Sequence, residues 1–451
     1  MKLNPSIFKA YDIRGIYQKD FDEETAYKIG RSFVRFLSKK KNKLNIVVGR
    51  DNRLSSPEVS KFLIEGIVGE GANVIDIGLA TTPMLYFAVA HFNFDAGIEV
   101  TASHNPKEYN GFKLVKEKAV PISGETGIQE IKEIVLNLGK EPKEGNKGEI
   151  IKKEILKDYV SFVLKDLNKE KIKPLKIVVD TANSISGILI PEIFKETSFE
   201  IYHIFSELDG SFPNHPADPL KKENLNELQN KMKEKRADLG VAFDGDGDRI
   251  VFVAENKEII PSDLILAMVS EIILQENKGA KVLYDLRLSN IAKETIERAG
   301  GVALMSRVGH SFIKERMRKE DILLTGELSG HYYYKNNYFF ESPFFILFKI
   351  IEKISESGKP LSELIKKYKK YFHSGEINFK VEDKDKKIKE LEDYFKMGEI
   401  SHLDGIRIDF SDWWFNVRLS NTEPLLRLVV EAKTEELMRK KKEEIEKLIK
   451  N

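Results

Sequence analysis

The feature that most narrows the folds open to this chain is an approximate internal repeat. An apolar strand running into a polar turn occurs three times: Ile46-Val47-Val48-Gly49-Arg50-Asp51, Ile177-Val178-Val179-Asp180-Thr181 and Val282-Leu283-Tyr284-Asp285-Leu286. A helical stretch follows each, then a second strand at Val74 to Ile77, Ile201 to Phe205 and Val302 to Met305. Each unit closes with a third strand entering an unusual loop. These are Ala96 to Val100 into Thr101-Ala102-Ser103-His104-Asn105-Pro106, Leu239 to Phe243 into Asp244-Gly245-Asp246-Gly247-Asp248-Arg249, and Ile322 to Leu324 into Thr325-Gly326-Glu327-Leu328-Ser329-Gly330-His331. Short apolar runs alternating with amphipathic stretches are the signature of α/β units with buried strands. Ligands of open α/β sheets sit beyond the carboxyl ends of the strands, so the repeat predicts three loops converging on a cleft between domains.

Beyond about residue 366 the pattern changes. Ile377 to Val381, a helix near Lys384 to Phe395, Gly405 to Phe410, Trp414 to Leu419, Leu425 to Ala432 and a terminal helix from Thr434 to Lys450 predict a small α+β domain. Its expected form is a four-stranded antiparallel sheet with two helices. The chain of 451 residues is thus expected to hold three related α/β domains with mixed sheets, at 1–147, 148–251 and 252–366, and a C-terminal α+β domain at 367–451.

Composition removes several functions. Lys plus Arg number 73 against 72 Asp plus Glu, a net charge of +1 that offers no basic excess for nucleic acid. Without cysteine there are no disulfides, thiolate nucleophiles or Cys-ligated metals. The start, Met1-Lys2-Leu3-Asn4-Pro5, has no apolar leader core, and the greasiest stretch, Tyr338 to Ile351, is broken by Glu341, Pro343 and Lys349. A cytoplasmic protein without nucleic-acid or membrane partners is expected.

The strongest chemical signal is Asp244-Gly245-Asp246-Gly247-Asp248. Along an extended loop alternate side chains share a direction, so three carboxylates converge and call for a hard cation such as Mg2+, which takes oxygen ligands and often a phosphate oxygen. An EF-hand is the rival reading, but Arg249 stands where that loop needs Gly and the flanks read as strands. An acidic hairpin turn is the bland one. Ser103 follows a buried strand beside His104; neighbours in an extended chain point apart, which makes His104 a poor direct base. A phosphoryl group on Ser103 would add about −1.5 to −2 of charge for the cation to neutralise, which links the two loops. Arg418-Leu419-Ser420-Asn421-Thr422-Glu423-Pro424, with Arg427 beyond, combines guanidinium, hydroxyl and amide donors as a phosphate site would, or forms a plain hairpin turn. Glu327 and Ser329 could hydrogen-bond sugar hydroxyls. Asp12 and Arg14 read as a surface pair, although Arg14 could reach a phosphate. Trp413 and Trp414 alternate on a strand, one of them packing inward, and the Arg439-Lys440-Lys441-Lys442 run reads as a solvated helix face.

In their order, these loops resemble the α-D-phosphohexomutase family, its phosphomannomutase/phosphoglucomutase branch most of all. The likeness rests on Thr101 to Pro106 with Tyr109-Asn110-Gly111-Phe112-Lys113, Asp244 to Arg249, Gly326 to His331 and Arg418 to Pro424, supported by Phe8 to Gly15 and Gly309 to Lys314. It implies a phosphorylated Ser103, itself facing the metal, and Mg2+ on Asp244, Asp246 and Asp248. It implies that Glu327 and Ser329 read the sugar, and that Arg418, Ser420, Asn421 and Thr422, with Arg427 near, grip the phosphate that is not reacting. Arg14, Lys113, His331 and His104 would stand beside the reacting groups, and Arg249, Arg287 and His310 on the substrate side. The implied reaction moves phosphate between O1 and O6 of a hexose through a hexose 1,6-bisphosphate, in a monomer or homodimer. Ser184, Arg287 and Glu341-Ser342 depart from the family's usual residues. Phosphoglucosamine mutase is the nearest alternative, from which Leu328 leans away; a metal-dependent sugar phosphatase and a non-catalytic sugar-phosphate sensor are the others.

Overall fold

All three repeats lay their strands in one order, third, first, second, and every pairing among these strands is parallel. A computed structural model describes residues 3–38, 43–139, 147–420 and 425–450. Its backbone falls into two units, Met1–Ile260 with Ser329–Ser362, and Pro261–Leu328 with Glu363–Asn451.

In the first unit, β1 (Ile13–Ile16), β2 (Asn45–Arg50), β3 (Asn73–Leu79), β4 (Ala96–Val100), β5 (Tyr109–Lys116), β6 (Val120–Pro121) and β7 (Ile150–Lys152) form a mixed sheet. Its order is β1-β5-β4-β2-β3-β7, with β6 on β5. Helices α1 (Glu23–Leu37), α2 (Ser56–Gly69) and α3 (Thr82–His91) accompany it. Asp22 caps α1 by accepting from Thr25 N–H, and the stripe Ala26, Ile29, Phe33 buries against Ile46, Val48, Leu63 and Ile98. Every residue of α3 from Thr82 to Ala90 is buried, so this helix is a core element instead of an amphipathic cover. A second mixed sheet holds β8 (Lys176–Asp180), β9 (Glu200–Ile204), β10 (Leu239–Phe243), β11 (Ile250–Ala254) and β12 (Ile259–Ile260), ordered β12-β11-β10-β8-β9. Strands β10 and β11 are antiparallel with Phe243 opposite Ile250, so the acidic loop is a hairpin connection between strands, and the EF-hand is excluded.

In the second unit, β13 (Lys281–Asp285), β14 (Val302–Ser306) and β15 (Leu324–Gly326) repeat the same parallel arrangement. Near the C-terminus, β17 (Phe372–His373), β18 (Ile377–Phe379), β19 (Glu399–Ser401), β20 (Ile406–Asp409), β21 (Trp413–Leu419) and β22 (Leu426–Ala432) form an antiparallel sheet; β16 (Tyr332–Tyr334) belongs to the first unit. This sheet has six strands where four were expected, because β17 and β19 are too short to show alternation in sequence. The helices Lys384–Tyr394 and Glu435–Lys450 contribute Leu391, Ile445 and Ile449 to its core with Ile408, Phe415 and Leu428. Both tryptophans are covered. Trp413 joins that core, whereas Trp414 takes the other face, its Nε1 donating to Glu431 at 2.7 Å under the Arg407 guanidinium. No described helix is long and apolar enough to cross a membrane.

The carboxyl end of β2 holds the loop after β4 in place through a residue that the motifs did not single out. Arg53 is fully buried and spends all five guanidinium N–H donors locally. Its Nε donates to Asp51 Oδ2 at 3.1 Å, Nη2 to the carbonyls of Ser103 and Asn105 at 2.6 and 2.7 Å, and Nη1 to those of Pro106 and Tyr109 at 2.7 and 3.2 Å. Asp51 in turn accepts from Thr101 Oγ1 at 2.7 Å and Ser56 Oγ at 2.5 Å. Arg53→Met keeps the length and removes the donors, leaving buried Asp51 without its counter-charge and the Ser103, Asn105 and Tyr109 carbonyls without these donors. Denaturant unfolding should show a loss of about 3–5 kcal/mol with an unchanged slope; a loss below about 1 kcal/mol would contradict the staple.

Candidate active site

Ser103 stands in the loop after β4, 2% exposed, with a left-handed φ of 51° that costs a non-glycine residue energy. Its N–H is held by Thr101 Oγ1 at 3.0 Å. Its hydroxyl donates to Asp244 Oδ2 at 2.9 Å and lies 3.2 Å from His104 Nδ1. The expectation that Ser103 and His104 point apart is therefore corrected: it assumed extended backbone, and the positive φ at Ser103 swings the neighbours together. Burial, then the charges of Arg249 and Arg14, hold the His104 imidazole well below its usual pKa, so it is neutral near pH 7.

The acidic loop is a tight turn, a second correction to the extended path that was expected. Asp244 Oδ1 accepts from the N–H groups of Asp248 and Arg249 at 3.1 and 3.2 Å, folding the loop over its own first side chain. Two glycines permit this. A Cβ on Gly245 would sit 2.2 Å from the Ser103 carbonyl oxygen, and Gly247 has φ of 71°. Asp246 is pinned to the start of α3, where Thr82 Oγ1 donates to its Oδ2 at 2.6 Å and Thr82 N–H to its carbonyl at 3.0 Å. Asp244, Asp246 and Asp248 are fully buried, and each offers an oxygen within 4.8 Å of the other two. Asp246 Oδ1 is buried without a hydrogen-bond partner among the described residues. An all-oxygen, anionic, partly unsatisfied cluster fits a hard divalent cation.

Charges that cannot all be expressed divide the cluster. Burial, then Asp248 and Asp246, drives Asp244 well above the usual carboxylate range. Burial acts the same way on Asp248, but the Lys113 ammonium, then His331, outweigh it and hold that carboxyl well below the range. Lys113, from β5, donates to Asp246 Oδ2 and Asp248 Oδ2, each at 2.5 Å. Burial opposes its charge, yet these two carboxylates raise its pKa well above the usual value. Opposite Lys113 on β4, Glu99 is buried with both carboxyl oxygens lacking a hydrogen-bond partner among the described residues; burial, then Asp51 and Asp246, keep it protonated.

Further predicted residues assemble around this core. Arg14 pairs with Asp12 at 2.5 Å, but it is not the surface pair expected from its neighbours in sequence: Nη1 also donates to Asn105 Oδ1 at 2.6 Å, in the Ser103 loop. Arg249 and His331 face each other across an antiparallel bridge, and His331 Nε2 lies 3.2 Å from both Arg249 Nε and Asp248 Oδ1. Ser329 Oγ sits 2.8 Å from His331 Nδ1. Thus Ser103, His104, Arg14, Lys113, the three aspartates, Arg249, Ser329 and His331 form one connected set.

In the second unit, Glu327 is buried with Arg287 3.9 Å away, and His310 opens the helix His310–Glu320. Arg418, next to the end of β21, faces Arg427 on β22, with Ser420 N–H donating to the Leu425 carbonyl at 2.9 Å. Asn421 and Thr422 lie outside the described residues. Sequence reasoning missed Glu376, on which Arg287, Arg418 and Arg427 converge, as well as Arg53, Thr82 and Glu99. One signal was available for Arg53: Asp51-Asn52-Arg53 and Asp285-Leu286-Arg287 occupy the same place in the repeat, and in both the Asp accepts from the N–H and Nε of the Arg.

Comparison with known proteins matches nearly the whole chain to one family. Residues 5–141, 157–257 and 261–371 match the phosphoglucomutase/phosphomannomutase alpha/beta/alpha domains I, II and III, and residues 376–448 match the C-terminal domain. A phosphomannomutase of Methanocaldococcus jannaschii is 42% identical over 449 residues, covering 98% of this chain and 97% of its own. A phosphomannomutase/phosphoglucomutase of Pseudomonas syringae is 37% identical over 439 residues, covering 96% and 92%. Among solved structures, a phosphoglucomutase/phosphomannomutase family protein from Burkholderia thailandensis superposes with a TM-score of 0.91 at 32% identity, covering 100% of this chain and 98% of its own. The chain belongs to the phosphoglucomutase/phosphomannomutase family.

Proposed function

We propose that this protein is a phosphohexomutase that interconverts hexose 1- and 6-phosphates, those of mannose, glucose or both, by way of a phosphorylated Ser103 and a hexose 1,6-bisphosphate that also serves as activator. The observation that carries this reading is the Ser103 hydroxyl hydrogen-bonded at 2.9 Å to a carboxylate of the buried acidic trio, in a chain matching the family across four domains. Residues 1–147 supply the nucleophile, 148–251 the metal loop, 252–366 the sugar-reading loop and 367–451 the phosphate clamp. The working species is a cytoplasmic monomer or homodimer with a small phosphosugar as its only partner.

Asp244, Asp246 and Asp248, with an oxygen on Ser103, would hold Mg2+, which when bound offsets the charge of the phosphoryl group. The chain's own residues do the rest. Arg14 and Lys113 carry fixed positive charge beside the Ser103 loop and the trio, placing donors where phosphoryl oxygens gather charge in transit. Transfer breaks the bond from phosphorus to Ser103 Oγ as the sugar hydroxyl forms its own; the hydroxyl's proton leaves by a nearby base, for which His331 is placed through Ser329 and Asp248. The departing Ser103 Oγ takes up a proton through His104, and in the return half neutral His104 accepts that proton back while His331 gives the proton it holds to the departing sugar oxygen. Arg249, Arg287 and His310 bind on the substrate side, and Glu327 and Ser329 read the sugar hydroxyls. Arg418, Ser420, Asn421, Thr422 and Arg427 grip the idle phosphate, so either end of the bisphosphate can be held while the other reacts.

Ser103→Ala should lower interconversion of hexose 1- and 6-phosphates on the order of 10⁴-fold or more, in a coupled assay with supplied bisphosphate; turnover like the wild type's would end this reading. Mannose and glucose 1-phosphates should give higher kcat/KM than glucosamine 1-phosphate, and the reverse order would favour a phosphoglucosamine mutase. Mg2+ at about a hundred times its Kd should stabilise the wild type by about 2.7 kcal/mol in thermal unfolding. Asp246→Asn should lose most of that gain, and an equal gain in the variant would remove the trio as the metal site.

A further inference from the structure

The register of the C-terminal sheet sets Arg418 on β21 directly opposite Arg427 on β22, and Arg427 opposite Asn378 on β18. Like charges facing each other across an antiparallel pair repel. Arg418 is 2% exposed, so water cannot relieve the conflict. Glu376, just before β18, relieves it: its Oε2 accepts from Arg287 Nη1 at 2.9 Å and Arg418 Nη2 at 3.1 Å, and its Oε1 from Arg427 Nη1 at 2.9 Å. The segment carrying Glu376 is itself fixed. Ser374 exchanges hydrogen bonds with Val430 at 2.9 Å in both directions, and His373 bridges the Arg287 carbonyl at 2.8 Å and Gly375 N–H at 3.0 Å.

We infer that Glu376 is the positioning residue of the phosphate clamp, a built-in anion that holds Arg287, Arg418 and Arg427 together before substrate arrives. This rests on the phosphohexomutase reading, which assigns these arginines to phosphosugar binding. Arg418 gives Glu376 one N–H, and its Nε remains buried without a hydrogen-bond partner among the described residues, so Arg418 keeps donor capacity for a second anion. A fixed carboxylate lets mutually repelling cations be gathered in advance, reducing the ordering that substrate binding must otherwise drive. The three guanidinium charges outweigh burial and hold the Glu376 pKa down to about 2, so it keeps its charge across the working range. One clamp serves whichever phosphate is idle, so its loss should weaken both substrates alike.

Glu376→Gln keeps the shape and removes the charge. Steady-state kinetics in both directions should show KM rising about tenfold for hexose 1-phosphate and for hexose 6-phosphate, with kcat within about threefold, as expected when uniform binding is lost. Glu376→Asp keeps the charge on a shorter arm and should recover most of the KM; it remains informative if the Gln variant does not fold. Unchanged KM in both variants overturns the inference. A lower KM in Glu376→Gln does so as well, since Glu376 would then be competing with the phosphate. A wild type that neither turns over nor binds a hexose 6-phosphate in calorimetry brings down the underlying reading and this inference with it, an outcome distinct from a working wild type beside an unaffected variant.

Discussion

The organising constraint of the first unit is negative charge buried where water cannot reach it. Three aspartates within 4.8 Å of one another, all fully buried, would repel severely as a set. The surroundings answer that repulsion piece by piece: Lys113 spans Asp246 and Asp248, Thr82 at the start of α3 donates to the same Asp246 oxygen, and Asp244 takes its stabilisation from the backbone of its own turn and from Ser103. One oxygen of Asp246 still has no hydrogen-bond partner among the described residues. The same demand for positive charge suits the cluster to a hard cation and brings the Ser103 hydroxyl into contact with it.

Holding a serine against such a cluster takes a rigid loop, and Arg53 provides it by satisfying four loop carbonyls and a buried Asp51 together. The left-handed backbone at Ser103 persists because those bonds over-determine it. The C-terminal sheet uses related logic with the signs reversed: there the arginines crowd, and Glu376 is the carboxylate that pairs with Arg287, Arg418 and Arg427 together. In both places an isolated charge of one sign would be too costly to bury, so a counter-charge is fixed in the fold, and a ligand of the proposed kind would meet groups already in position.

Much of this architecture was legible in the chain. Strand spacing in the three repeats disclosed the parallel units, and the Asp-Gly-Asp-Gly-Asp run disclosed the convergence of three buried carboxylates, because both are local patterns of burial and charge. What stayed hidden was long-range or conformational. No pattern in Asp51-Asn52-Arg53 says that the guanidinium will reach carbonyls some fifty residues away. Ser103 and His104 came together only because Ser103 adopts a φ that neighbour geometry does not anticipate. Glu376 lies in an unremarked stretch and acquires meaning solely from the register that faces Arg418 with Arg427. The two extra C-terminal strands were missed for want of length, and the turn of the acidic loop for want of any sign of where Asp244 would bond.

The central claim is that Ser103 carries the phosphoryl group and gives it to a sugar hydroxyl. A single-turnover chase tests this directly: protein labelled with a radioactive phosphoryl group, mapped to the Ser103 peptide, is mixed with unlabelled hexose 1-phosphate and Mg2+. The label should leave Ser103 and appear in hexose 1,6-bisphosphate and then in the 6-phosphate, with little inorganic phosphate. Label that stays on the protein while product forms, or that leaves only as inorganic phosphate, would contradict the account.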